Sequence, residues 1–361
     1  MSLMKPVGKN IFRNKPAYAG LAAAITFGAA VPLCKMLPNT SLAEIFLTAG
    51  LLYIGAGLAV TLYGIFANTA KMQTNRPRLK KQDVPWLIGA VVCGGLAAPV
   101  LLLVGISAAP AMNSSLLLNF EAILTAMVAL IIFKESIGKR IWIAVLTISV
   151  GGALLAIPQG AGGMPLNSAA AILGACLLWG LDNNLTRKIS LNSPATIIQI
   201  KGFLAGGVNV AIAFIIGAQF PNAKTLGASL GIGAVCYGIS LMLFIIALRH
   251  LGATRTSAYF AIAPFFGVVL SLIVFGESFG IVQAGATILM IAGAWLLCRE
   301  KHAHKHIHPI IEHDHTHQHD DNHHNHEHEN SSQYAHRHRH THKALTHFHE
   351  HAPDEHHRHK H

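Results

Sequence analysis

Four side chains able to carry charge or exchange hydrogen bonds stand inside segments that are otherwise apolar: Glu121, Asp182, Lys201 and Asn119. A charge at the centre of a bilayer costs about 2.5–3.5 kcal/mol on insertion scales, so such groups are candidates for function. Glu121 shares a helix face with Ser114 and Thr125, because positions seven before and four after fall on one side of a helix. That stripe could line a path on which Glu121 gains and loses a proton. The alternative is a neutral glutamic acid hydrogen-bonded between helices. Asp182, Asn183 and Asn184 form a polar run, and Lys201 stands at similar depth. Pairing Asp182 with Lys201 would lower the cost of both charges. The alternative is a Lys201 that snorkels to the interface and an Asp182 that only fixes packing. The amides of Asn183 and Asn184 add donors and acceptors that packing does not need. They favour a binding surface.

A second chemistry lies at the C-terminal end. From Glu300 onward the chain holds 23 of its 24 histidines and ten of its 16 acidic residues. His302, His304, His306 and His308 alternate with other residues, as do His313, His315, His317 and His319, and then His336, His338, His340 and His342. Near neutral pH most imidazoles are unprotonated and available as ligands. With carboxylates nearby they suit divalent Ni, Zn, Co or Cu. The polar, repetitive composition predicts a disordered tail with several loose, exchangeable metal sites. No other cofactor is expected. The chain has no P-loop, catalytic triad or H-E-x-x-H motif, so neither an enzyme nor a phosphate-driven pump is expected, nor is a nucleic-acid partner.

The elements that position the buried groups follow from hydropathy. Apolar residues make up 52% of the chain and charged residues 12%, about half the charged share of a soluble domain. A bilayer-crossing helix needs roughly 20 apolar residues. Ten such runs occur, near 17–37, 43–67, 86–108, 111–133, 140–158, 168–188, 195–218, 226–249, 254–276 and 280–299. The lipid bilayer is therefore the first partner. Cys34, Cys93, Cys176, Cys236 and Cys298 all fall in or at the end of these runs and read as small buried hydrophobes, not a disulfide framework.

The runs are duplicated. Residues 130–138 and 272–280 share six of nine identities at a shift of 142, which also pairs Gly89 with Gly231, Ser115 with Ser257 and Gly151 with Gly293. A shift of 152 pairs Phe27-Gly28 with Trp179-Gly180, Lys35 with Arg187, and Gly50 with Gly202. Each copy holds five runs. Five is odd, so the second copy enters the membrane inverted relative to the first. The fold expected is an all-α integral membrane protein of ten transmembrane helices in two inverted five-helix repeats. A cytoplasmic segment (1–16) precedes the first repeat (17–158), a linker (159–167), the second repeat (168–299) and the tail (300–361). Inverted repeats in a membrane are the architecture of alternating-access transporters, with the substrate path between the copies. Gly202-x-x-x-Gly206 and Gly227-x-x-x-Gly231 are expected to allow close helix approach, and Trp179 and Trp295 to serve packing or the interface.

Basic residues set the orientation, because cytoplasmic loops retain them. With both termini inside the inner (plasma) membrane, sixteen basic residues fall on the cytoplasmic side and two, Lys35 and Lys224, on the other. Lys35 is the misfit of the pattern, since its counterpart Arg187 lies inside; it is expected to snorkel to the outer headgroups. Reporter fusions at Gly162 and at the C-terminus should read outside and inside respectively. A cytoplasmic signal at Gly162 would refute the orientation.

Two stretches carry a family resemblance. One runs from Asn113-Ser-Ser through Asn119-Phe-Glu to Phe133-Lys-Glu-Ser; the other runs from Ala247-Leu-Arg-His through Ala263-Pro264 to Gly276-Glu-Ser. With Trp179-Gly180 they resemble the repeat of EamA-type proteins of the drug/metabolite transporter superfamily, over roughly residues 17–299. The resemblance implies this fold and export of amino acids, drugs or other small metabolites. At Ala122 the first copy lacks the proline that is usual there and that Pro264 supplies in the second. This departure puts the local helix geometry in question.

The expected function is a multi-pass secondary transporter, an exporter of a small-molecule or metal-ion substrate. The tail favours divalent transition-metal efflux. The absence of a membrane His or Met cluster favours organic metabolites, with the tail as buffer or regulator. A membrane-tethered metal store that carries nothing is the remaining alternative.

Overall fold

The computed structural model describes residues 15–38, 40–66, 79–134, 139–156, 164–189, 193–247 and 260–298, together with the backbone of four short tail segments. His319, Arg249, Arg255, most of the 159–167 linker and several basic residues near the N-terminus and around residue 75 lie outside the described residues.

Helix occupies each of the ten apolar runs. Six stretches are long and apolar enough to cross a membrane: Tyr18–Lys35, Leu42–Ile65, Lys81–Ala108, Ala111–Ile131, Ala195–Ile215 and Ala223–Ala247. Trp142–Leu155, Ala263–Phe275 and Ile281–Leu296 are shorter apolar helices. The remaining run is the helix Leu166–Ile189, which Asp182, Asn183, Asn184, Arg187 and Lys188 make more polar. The membrane part is thus all-α. Numbered in chain order, span two packs on span seven, span four on span nine and span five on span ten. Each of these six helices meets its own copy, as an axis exchanging the two halves requires.

The irregularities repeat at the same shift. A π-helical segment at Val91–Ala97 maps onto another at Gly233–Ile239. Span four breaks at Leu118–Asn119, between the helices Ala111–Leu117 and Phe120–Ile131, and the chain turns at the equivalent place just before the helix Ala263–Phe275. The first copy keeps this break without the proline. There Asn119 Nδ2 donates to the Leu116 carbonyl at 2.9 Å, the same carbonyl that its backbone N–H reaches at 3.1 Å, and the tightened turn interrupts the α ladder. Span one breaks at Ala29, between the helices Lys15–Gly28 and Ala30–Lys35. Pro32 cannot donate to the Gly28 carbonyl, which explains the interruption. Its counterpart Asn184 has an N–H, and Leu166–Ile189 runs unbroken.

Glycine sets the span two–span seven interface. A methyl group on Gly206 would stand 2.8 Å from the Gly50 carbonyl, and one on Gly202 would stand 2.8 Å from the Gly57 nitrogen. The expectation for the second glycine pair is corrected: nothing lies within 4 Å of a methyl built on Gly227 or Gly231. The close approach on that helix passes to Gly233, which faces the Leu52 backbone. Gly233 lies two residues beyond Gly231, about 200° round the helix, on the side that faces span two.

In the tail, where composition argues for disorder, the described backbone pairs His302–His308 with Leu345–His351 and Ile311–His317 with His336–His342, both antiparallel. Alternation of histidine with other residues has the period of a strand. The register sets His302 opposite His351, His304 opposite His349 and His306 opposite His347. It likewise sets His313 opposite His340, His315 opposite His338 and His317 opposite His336.

Candidate functional site

The site begins with a carbonyl that the backbone leaves unpaired. In the π-helical segment the Ala98 N–H bonds to Cys93 O, so the next donor along should serve Gly94 O. That position is Pro99, which has no N–H. Two side chains take the place of the missing donor: Trp179 Nε1 donates to Gly94 O at 3.2 Å, and the Tyr53 hydroxyl donates to the same atom. The neighbouring Leu96 carbonyl accepts from Asn209 Nδ2 at 3.3 Å. Spans two, three, six and seven are thereby tied at one point.

Asp182 lies against this point. A methyl group at Gly94 would occupy the space of its carboxylate. Lys201 Nζ sits 2.6 Å from both carboxylate oxygens, and Thr186 Oγ1 donates to Oδ1 at 2.9 Å. Asp182 is 6% exposed and Lys201 7%. The structure thus makes the ion pair that similar depth suggested, and Lys201 does not snorkel. A carboxylate with three charge-assisted or hydroxyl contacts offsets much of its desolvation.

Glu121 stands on the other side of span six. Asn183 Nδ2 donates to Glu121 Oε1 at 3.0 Å and reaches Thr125 Oγ1 at 3.3 Å. Asn183 is exposed and Glu121 half-buried, whereas Asp182 and Lys201 are enclosed. Asn183, next to Asp182 on span six, ties the Glu121 carboxyl to the cluster. The site therefore has an accessible edge at Glu121 and Asn183 and a closed floor at Asp182 and Lys201. Span six approaches span four closely here: a methyl on Gly180 would stand 2.9 Å from the Thr125 nitrogen.

Three of the sequence-derived positions serve the scaffold. Asn184 Nδ2 donates to Thr125 O at 2.9 Å and Gly180 O at 2.8 Å. Ser114, fully buried, donates to Pro110 O at 2.8 Å. Asn119 bonds the span-four break and touches Met290 Sδ at 3.8 Å. The break separates Ser114 from Glu121, so the stripe drawn on one continuous helix includes Thr125 alone. Tyr53, Gly94 and Thr186 are site residues that sequence reasoning passed over. The signal available for Tyr53 and Gly94 was Pro99 near the middle of a membrane run, which had to leave a carbonyl without its donor.

The cluster is built from both halves but occurs at only one of the two symmetry-related positions. At the duplication shifts Asp182 corresponds to Ala30, Lys201 to Ala49, Tyr53 to Ala205, Glu121 to Ala263 and Gly94 to Cys236. The symmetry-related position is apolar, with Ala30 and Val31 both 1% exposed. Among the described residues no group of three or more His, Cys, Asp or Glu could hold a metal ion. The tail histidines enter only through the backbone register given above.

Comparison with known proteins agrees with this architecture. The profile of the EamA-like transporter family matches residues 14–157 and again 166–299. An uncharacterized transporter of Methanothermobacter thermautotrophicus is 26% identical over 290 residues, 77% of this chain and 84% of that one. A protein solved by crystallography shares the fold with a TM-score of 0.57 at 15% identity, over 78% of this chain and 95% of that one.

Proposed function

The chain belongs to the EamA-like transporter family, and we propose that it is an exporter of the inner membrane that moves a small polar solute by alternating access. The observation that carries this reading is the site just described: an ion pair, a carboxyl and an exposed amide gathered where the halves meet, in a part of the chain that has only six acidic residues before Glu300. A solute bearing both a donor and an acceptor would exchange with the Asp182–Lys201 pair. Glu121, at the accessible edge, would carry the proton that couples transport to the gradient. Both termini would face the cytoplasm, so the tail begins at the mouth through which substrate enters.

The tail favours a second reading, divalent-metal efflux. The backbone register sets histidine positions opposite one another in pairs, and histidine suits Ni, Zn, Co or Cu. The Lys201 ammonium argues against a bare cation at the membrane site. The tail would then raise the local metal concentration without being needed for the crossing itself.

Vesicles containing the purified chain separate these readings. Flux of labelled amino acids and of Zn, Ni, Co and Cu is measured for wild type, Glu121→Gln and a chain ending at Arg299. The expected result is solute flux that Glu121→Gln uncouples from the pH gradient and truncation leaves intact. Metal flux whose half-maximal dose rises on truncation, at unchanged maximum, would move the assignment to metal efflux. Flux of none of these solutes by any form would sink the carrier reading.

A further inference from the structure

Lys35, the outlier of the charge pattern, is not at the headgroups. Its Nζ donates to Ile106 O at 3.1 Å and to Ala109 O. These are carbonyls at the end of the helix Ala98–Ala108, where the helix dipole is negative. A few residues on, Glu277 accepts from the backbone N–H of Ala111 at 2.7 Å and of Met112 at 2.8 Å, one on each carboxylate oxygen. Lys35 is also within electrostatic reach of Glu277. One short loop of the first half is thus held by a lysine from span one and by a carboxylate from the second half.

The chain is shaped to deliver that carboxylate. The helix Ala263–Phe275 ends at Gly276 in the left-handed conformation, φ 60, and Glu277 follows the turn. The 142-residue shift carries Gly276 onto Lys134, which adopts the same left-handed turn at φ 56. A side chain there crowds the following carbonyl, so a non-glycine residue is strained. The turn is therefore kept in both halves even where the residue type opposes it.

We propose that Lys35 and Glu277 form the latch that closes the mouth opposite the basic loops. The proposal rests on the alternating-access reading above, and with that orientation this mouth is the outer one. Ten residues of span four, interrupted at Leu118–Asn119, separate Ala111 from Glu121, on the order of 15 Å at helical rise, so the latch lies well beyond the polar site on its way out. Alternating access requires the halves to part at one mouth while they stay together at the other. Glu277 bridges the halves at this mouth through two charge-assisted bonds, and these bonds must break when it opens. Lys35 holds the other side of the same loop from within the first half and so positions the N–H groups that Glu277 grips.

The test reads access, not flux. Ser115, buried on span four just inside the latch, is changed to Cys in the full chain and labelled from the outer side with a membrane-impermeant thiol reagent. Labelling is counted against the same chain without Ser115→Cys. Loss of a charge-assisted bond from one state shifts a two-state equilibrium by about tenfold. Glu277→Gln and Lys35→Met should each raise outside labelling of Cys at 115 by about that factor, with no rise from the inner side. If Glu277→Gln fails to reach the membrane, Lys35→Met carries the test alone. Unchanged outside labelling in the variants that reach the membrane would overturn the latch. Absent flux together with raised labelling would instead count against the proposed substrate class, leaving the latch standing.

Discussion

Lys201→Met is expected to abolish transport and to destabilise the folded carrier by about 3–5 kcal/mol, because it strands a buried carboxylate without its cation. Asp182→Asn should abolish transport as well, and it strands the ammonium. The double variant Asp182→Asn with Lys201→Met should recover most of the lost stability, since neutralising both members of a buried pair is often nearly neutral. It should recover no flux. Thermal unfolding in detergent reads the first quantity and vesicle flux the second. A functional pair gives stability without transport in the double variant; a pair that only fixes packing gives both. Wild-type flux in the double variant would therefore remove Asp182 and Lys201 from the substrate path. The charge-reversed pair, Asp182→Lys with Lys201→Asp, should be more stable than either single reversal, because the partners lie 2.6 Å apart and their effects cannot add independently.

Gly94→Ala should produce a comparable loss of flux through a single methyl group. The added carbon overlaps the Asp182 carboxylate, and the backbone there is already committed, with Gly94 O held by Trp179 and Tyr53. Either the carboxylate leaves Lys201 or the π-helical segment moves away from span six. Overpacking of this kind costs about 1–3 kcal/mol. The control is Gly207→Ala on span seven, where nothing lies within 4 Å of the new methyl. There alanine should be neutral or stabilising by about 0.5–1 kcal/mol, as helix propensity alone dictates. Equal flux from both variants would show that the contact between Gly94 and Asp182 has no part in transport.

The confinement of the polar cluster to one of the two symmetry-related positions bears on both results. Inverted repeats supply the two backbones that rock against each other, but nothing obliges both to carry chemistry. Here Ala30, Ala49 and Ala263 fill the positions equivalent to Asp182, Lys201 and Glu121. The second set is packing, as the full burial of Ala30 and Val31 indicates. The scaffold has kept its symmetry in the π-helical segments, the break in spans four and nine, and the left-handed turns. Those features are properties of backbone geometry, and they survive where side chains have diverged.

The sequence by itself determined the class of the molecule. Long apolar runs exclude a soluble core, an odd number of runs per copy forces inversion, and two charges at similar depth, Asp182 and Lys201, had strong reason to meet. Hydropathy and duplication are carried by many residues at once, so single departures such as Ala122 do not erase them. What the tertiary structure decided was which polar groups share a site. Ser114 and Asn119 were candidates on a single continuous helix, but Ser114 bonds back to Pro110 O four residues earlier and Asn119 bonds within the turn at Leu118–Asn119, so both have local backbone partners. Tyr53 and Gly94 entered because Pro99 withholds one N–H and the groups that replace it come from helices far away in sequence. Lys35 looked like an exception to a charge rule until helix ends from span three and the turn after span nine surrounded it. Hydrogen-bond satisfaction is settled by whichever donors and acceptors the packed helices bring within about 3 Å, and that distance is set by crossings that no one-dimensional pattern records.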